Sequence, residues 1–236
     1  MNLNHRLLRG LVAVAFACFL VAGCSKAPEA SAPAASSTAA NPPAPAASAS
    51  TAASPANSTA TSGTDAAAAA AKAAAVDFAL KEDAIKNDPD GQWAIQAKAS
   101  SSYQDAEGAA AWSANQATGA PNVERYGDDG KAWTSKTADG GIEWLELTFP
   151  KAVFATEVRI RESCGSGAVI KVEIFDDKGA PHAVWSGNDP TKELNYFPVK
   201  FDKTTFKTDR VKITLATNVV PGWNEIDAVQ LVGKEN

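Results

Sequence analysis

The sequence predicts an all-β domain, an antiparallel sandwich or barrel, carried at the end of a low-complexity tether. Three observations predict it. Apolar and polar residues alternate with a period of two in "EWLELTF" (143–149), "TEVRIRE" (156–162), "VIKVEIFD" (169–176) and "RVKITLAT" (210–217), the signature of strands with one face buried. Clusters such as "DDKG", "SGNDP" and "DKTTFKTD" separate these runs and supply turns between short strands. Upstream, residues 27–75 consist almost wholly of Ala, Ser, Thr and Pro and have too few large apolar side chains to offset the entropy of ordering.

The elements follow in chain order. Arg6 and Arg9 precede an apolar run over 11–20, and "VAGC" follows. A positive start, a short hydrophobic stretch and a small-residue processing site make residues 1–23 a secretory signal. The stretch resembles the bacterial lipobox. That resemblance implies cleavage before Cys24, lipidation of its thiol and new amino group, and, with Ser25 following, an outer-membrane rather than inner-membrane destination in the cell envelope. Several acyl chains on one residue hold a membrane where one chain would not. Cys18 leaves with the signal and Cys24 is lipidated, so Cys164 is the only free thiol and no disulfide framework forms. Cys164 sits in "ESCGSG" with no base nearby and reads as a small turn residue rather than a nucleophile.

Residues 24–65 form a disordered linker. Residues 66–88 read as a helix: Asp65 caps, alanines propagate, Val76, Ala79, Leu80 and Asp83 recur at helical spacing, and Pro89 stops the run. Residues 91–233 are long enough for one domain with a genuine core. Adding "QWAIQAKA", "HAVWSG", "YFPVKF" and "EIDAVQL" gives about eight strands. The loop over 105–141 is far longer than a hairpin needs and carries Trp112, Tyr126 and Trp133, which marks it as functional.

In order, "KASSSY", "WSANQATGAPN", "YGDDGKAWT", "DGGIEWLELTFPKAVFATEVRIRE", "GAVIKVEIFD" and "VPGWNEIDAVQLVG" resemble the discoidin, or coagulation-factor C-type, domains. More broadly they resemble the galactose-binding-like jelly roll of many carbohydrate-binding modules. The resemblance implies a jelly-roll β-sandwich that binds through loops at one end, and a structural calcium ligated by Asp129, Thr134 and Glu225. Lys131 stands where the relatives have a second aspartate. Two readings follow: calcium bound, or a salt bridge of Glu225 with Arg161, Arg159 or Lys131 in its place.

Acidic residues outnumber basic ones, 27 to 22, and no basic stripe interleaves with aromatics, so nucleic acid is not an expected partner. The mature chain has a single histidine, His182, and no nucleophile beside a base, so no enzyme is expected. Two classes remain: a membrane-anchored glycan-binding module, and an envelope lipoprotein that docks a protein partner through the same loops. For a sugar, Tyr126, Trp133 and Trp223 supply stacking faces and Arg125, Arg161 and Asn224 supply hydrogen bonds. Against that stands a structural reading in which Trp133 and Trp223 plug the sandwich and Arg161 pairs with Glu225. Trp93, Trp144 and Trp185 fall on strands and read as sheet packing.

Overall fold

A computed structural model describes residues 61–104 and 110–236, with side chains from residue 64 onward. The signal, Cys24 and most of the linker lie outside the described residues. Helix α1 spans Thr61–Lys86. It starts before Ala66, because the alanine run lowers the cost of helix for the residues ahead of it, and it ends where Pro89 removes a donor. Its inward stripe is half-buried Phe78 and Glu82 and buried Ile85, spaced i, i+4, i+7. Val76 and Leu80, expected on the apolar face, are exposed. The helix is long because of alanine and docked because of its last two turns. Among the described residues no helix is long and apolar enough to cross a membrane.

Among the described residues nine strands follow: β1 (Gly91–Trp93), β2 (Gln96–Ala99), β3 (Trp133–Thr134), β4 (Ile142–Cys164), β5 (Val169–Phe175), β6 (Pro181–Ser186), β7 (Asn195–Lys200), β8 (Thr208–Ala216) and β9 (Glu225–Lys234). All pair antiparallel. One sheet runs β2-β4-β8-β5-β6, and the other places β1 and β3 on one edge of β9, followed by β4 and β7. The fold is therefore the expected antiparallel β-sandwich.

Strand β4 explains the architecture. "EWLELTF" and "TEVRIRE", which read as two strands, are one 23-residue strand. Its register with β8 shifts between Thr148 and Val153, around Pro150, which cannot donate to a ladder and so belongs at a bulge. The first half of β4 pairs with β2 and β8 and the second with β7 and β9, so one strand belongs to both sheets. "QWAIQAKA" is divided in the opposite sense, into β1 on one sheet and β2 on the other. Leu145, Leu147, Phe149, Val158 and Ile160 of β4 meet Val172, Ile174, Val211, Ile213, Val229 and Leu231 in one core.

Two arginines fasten α1 to the sandwich. Arg161, 2% exposed, donates from Nε to Glu82 at 2.7 Å and from Nη1 to the Val123 carbonyl at 2.7 Å. It also pairs with Asp227 on β9. Arg159 pairs with Asp88 just past the helix (2.7 Å) and with Glu157 (2.9 Å). Gln230 adds a bond from Nε2 to the Ile85 carbonyl, 2.9 Å.

Candidate functional site

The last residue of β4, the first of β9, β3 and the turn after β8 converge at one end of the sandwich. Loop hydrogen bonds hold them there: Gly127 N–H to the Ser163 carbonyl (2.9 Å), Thr217 N–H to the Gly141 carbonyl (2.8 Å) and Gly222 N–H to Asp139 (2.9 Å). Gly222, at φ +93° after Pro221, takes the left-handed position such a turn requires.

On this end Tyr103, Trp112, Asp128, Thr134 and Trp223 line a pocket of about 100 Å³. The Trp112 and Trp223 rings both stand edge to face against Tyr103, with centroids 5.4 and 5.2 Å away and planes 74° and 81° apart, a favoured geometry for aromatic neighbours. Tyr103 is 51% exposed. Trp112 has φ 56°, a conformation unusual for a bulky residue and found where a site over-determines the backbone. It is held there by its N–H to the Gly130 carbonyl (3.0 Å) and by its indole N–H to Asp128 Oδ1 (2.9 Å). Gly130 has to be glycine, because a Cβ there would sit 2.9 Å from that of Ala111.

Behind the pocket lies Glu225, 1% exposed. Its Oε2 accepts the Asp129 N–H (3.2 Å) and the Ser163 hydroxyl (3.4 Å), and its Oε1 has no partner. Burial, with the Asp128 carboxyl beside it, pushes its pKa up to about 8. A buried carboxyl pair, Glu162 and Asp189, adjoins the end of β4. Burial and the Asp189 carboxyl raise Glu162 well above the usual carboxylate range. Oε2 of Glu162 and Oδ2 of Asp189 lack partners if both are ionised, so one shared proton satisfies the pair. The Cys164 thiol is likewise pushed up by burial, Glu225 and Asp128, which disfavours a reactive thiolate.

The expected site residues divide. Trp223 lines the pocket. Arg125 and Tyr126 are exposed on the long loop but do not line it. Trp133 is 0% exposed, its indole N–H bound to the Ser101 carbonyl (3.1 Å) and the Ser102 hydroxyl (3.2 Å). It is a core residue because β3 pairs it with Ile226, inside β9. Arg161 is buried between α1, β9 and the Val123 stretch of the long loop, and does not line the pocket. Asn224 is buried and donates from Nδ2 to the Gly165 carbonyl at 2.7 Å, which holds the turn rather than a ligand.

The expected calcium ligands Asp129, Thr134 and Glu225 are brought together by the pairing of β3 with β9 and by the Asp129 N–H bond to Glu225. Thr134 donates its hydroxyl to the Asn224 carbonyl (2.9 Å) and Asp129 accepts the backbone N–H of Lys131 (3.0 Å). Among the described residues no group of three His, Cys, Asp or Glu side chains could hold a metal. Of the cations in the alternative salt bridge, Arg159 and Arg161 are paired elsewhere, and Lys131 is exposed. Tyr103 and Asp128, which do line the pocket, were not singled out by sequence. The aromatic ending "KASSSY" was the available signal for Tyr103.

The family described as Pappalysin-1, SD scarf domain, C-terminal, matches residues 82–236. The chain belongs to this family. The scarf-domain match begins within the docked end of α1 and runs through the whole sandwich. No curated protein matches the chain. Among solved structures, chitosan-binding module 1 of a Paenibacillus sp. IK-5 chitosanase/glucanase shares 14% identity over 58% of this chain and 94% of its own, with a TM-score of 0.45. The family 32 carbohydrate-binding module of C. perfringens NanJ, in complex with galactose, shares 18% over 60% and 98%, with a TM-score of 0.40. Reduced XRCC1, bound to the DNA polymerase beta catalytic domain, shares 15% over 61% and 98%, with a TM-score of 0.46. At such identities and scores the likeness says nothing of this chain's ligand.

Proposed function

We propose that the chain is a lipid-anchored, non-catalytic binding module of the cell envelope that recognises glycans in the pocket of Tyr103, Trp112 and Trp223. One observation carries this reading: the fold buries Trp133 completely yet leaves three rings open around a pocket, one of them on a strained backbone. Sugar rings present apolar C–H faces, and open aromatic faces edged by a carboxylate suit them. Cys24 supplies the anchor, and the linker lets the sandwich reach envelope polysaccharide or peptidoglycan.

The test is an envelope-glycan array probed with the full-length protein and with Trp223→Ala. Retention of a glycan by the parent and its loss in a folded variant supports the reading; equal binding by both removes it. A protein-docking reading is favoured by exposed Tyr126 and Val219 in the loops and exposed Ile142 at the start of β4, and it predicts no retention of any glycan by either protein.

A further inference from the structure

The pocket lining has an unbalanced chemistry. Three aromatic rings, whose faces carry a negative quadrupole, line it together with Asp128 and Thr134. The Thr134 hydroxyl hydrogen is committed to the Asn224 carbonyl, so toward the pocket this group offers lone pairs. Among the described residues, no Lys, Arg or His lines the pocket. The β4 arginines are spent at the helix junction, Arg159 on Asp88 and Glu157 and Arg161 on Glu82 and Asp227. Behind the wall, Glu225 is buried, hydrogen-bonded through Oε2 and without a partner at Oε1. A site rich in acceptors and ring faces, with a buried carboxyl at its back, lacks what a cation would bring.

We propose that the pocket recognises an organic ammonium group and that the glycan bound here therefore carries N-unsubstituted amino sugars. The amino-sugar part rests on the glycan reading above; the ammonium part does not. The ammonium sits among Trp112, Tyr103 and Trp223 and donates to the Asp128 carboxylate, which accepts the Trp112 indole N–H at Oδ1 and lies beside the Glu225 carboxyl. Ring quadrupoles and a carboxylate attract a desolvated cation together. A volume of about 100 Å³ admits the amine-bearing edge of one sugar and leaves the rest of the chain on the surface. N-acetylation removes the charge and adds bulk at that edge, so the pocket discriminates against it.

The test is tryptophan-fluorescence titration of the full-length protein, below the pKa of the sugar amine. The probes are an oligomer of N-unsubstituted glucosamine, the same oligomer fully N-acetylated, and tetramethylammonium chloride as a cation without sugar. The free-amine oligomer should bind at least about 10-fold more tightly than the acetylated one, and Asp128→Asn, checked for folding by thermal unfolding, should abolish that preference. Independently of any variant, raising salt from about 0.05 M to about 0.5 M should weaken the free-amine oligomer and leave the acetylated one unchanged. Equal or tighter binding of the acetylated oligomer overturns the ammonium inference and leaves the glycan reading intact. Binding of tetramethylammonium with neither oligomer supports the ammonium inference, ends the glycan reading and points to a methylated-ammonium headgroup as the source. Binding of none of the three overturns the inference.

Discussion

Replacing Arg161 with Leu should destabilise the protein strongly without touching the pocket. The guanidinium serves Glu82 on α1, the Val123 carbonyl and Asp227 on β9. Asp227 is 1% exposed, and its other oxygen accepts the Asn122 and Val123 N–H groups at 3.2 and 3.3 Å. Burial already pushes the Asp227 carboxyl up against the pull of Arg161. Stranding a buried charge in this way costs about 3 to 5 kcal/mol. Without its cation, Asp227 can relieve that cost by taking a proton, so the loss should be larger at pH 8 than at pH 5. Glu82→Gln, which leaves the Arg161 pair with Asp227 in place, should cost less, about 1.5 to 3 kcal/mol. Urea unfolding of the full-length protein, followed by tryptophan fluorescence, measures both. A cost under about 1 kcal/mol for Arg161→Leu, or one independent of pH, would refute a buried ion pair here.

Other expectations follow from the same structure. Trp133→Ala should cost about 3 to 5 kcal/mol, as truncation of a buried aromatic does, whereas Trp223→Ala should change urea unfolding little; equal costs would contradict their different burial. The carboxyls of Glu162 and Glu225 have folded pKa values above their unfolded ones, so the native state holds extra protons between about pH 4.5 and 8 and their contribution to stability falls as pH rises through that window. The slope is about 1.4 kcal/mol per pH unit for each extra proton; a Glu225→Gln variant should lose part of it in thermal unfolding across pH, and an unchanged slope argues against a protonated Glu225. Cys24→Ala should move the protein out of the membrane fraction, and continued labelling of that variant by a palmitate analogue would contradict lipidation at this residue.

The period-two runs made the strands legible, because one buried face forces alternation whatever the topology. They could not show that Pro150 sits at a bulge rather than between strands, so one strand read as two. Alternation also places Arg161 on a polar face, and sequence gave no means of knowing that a helix about eighty positions earlier in the chain covers that face. Trp133 and Trp223 look alike as loop-flanking tryptophans; only the pairing of β3 with β9 puts one inside. Tyr103 and Asp128 reach the pocket through loop closure, which leaves no periodic trace.

The central claim, that a glycan binds among Tyr103, Trp112 and Trp223, is tested most directly by the indole N–H resonances of the six tryptophans in a ¹⁵N-labelled sample titrated with envelope glycan. The account predicts that the Trp112 and Trp223 signals move while that of Trp133, locked on Ser101 and Ser102, stays fixed. Saturable glycan binding that leaves Trp112 and Trp223 unmoved, or no binding of any envelope glycan, would contradict it.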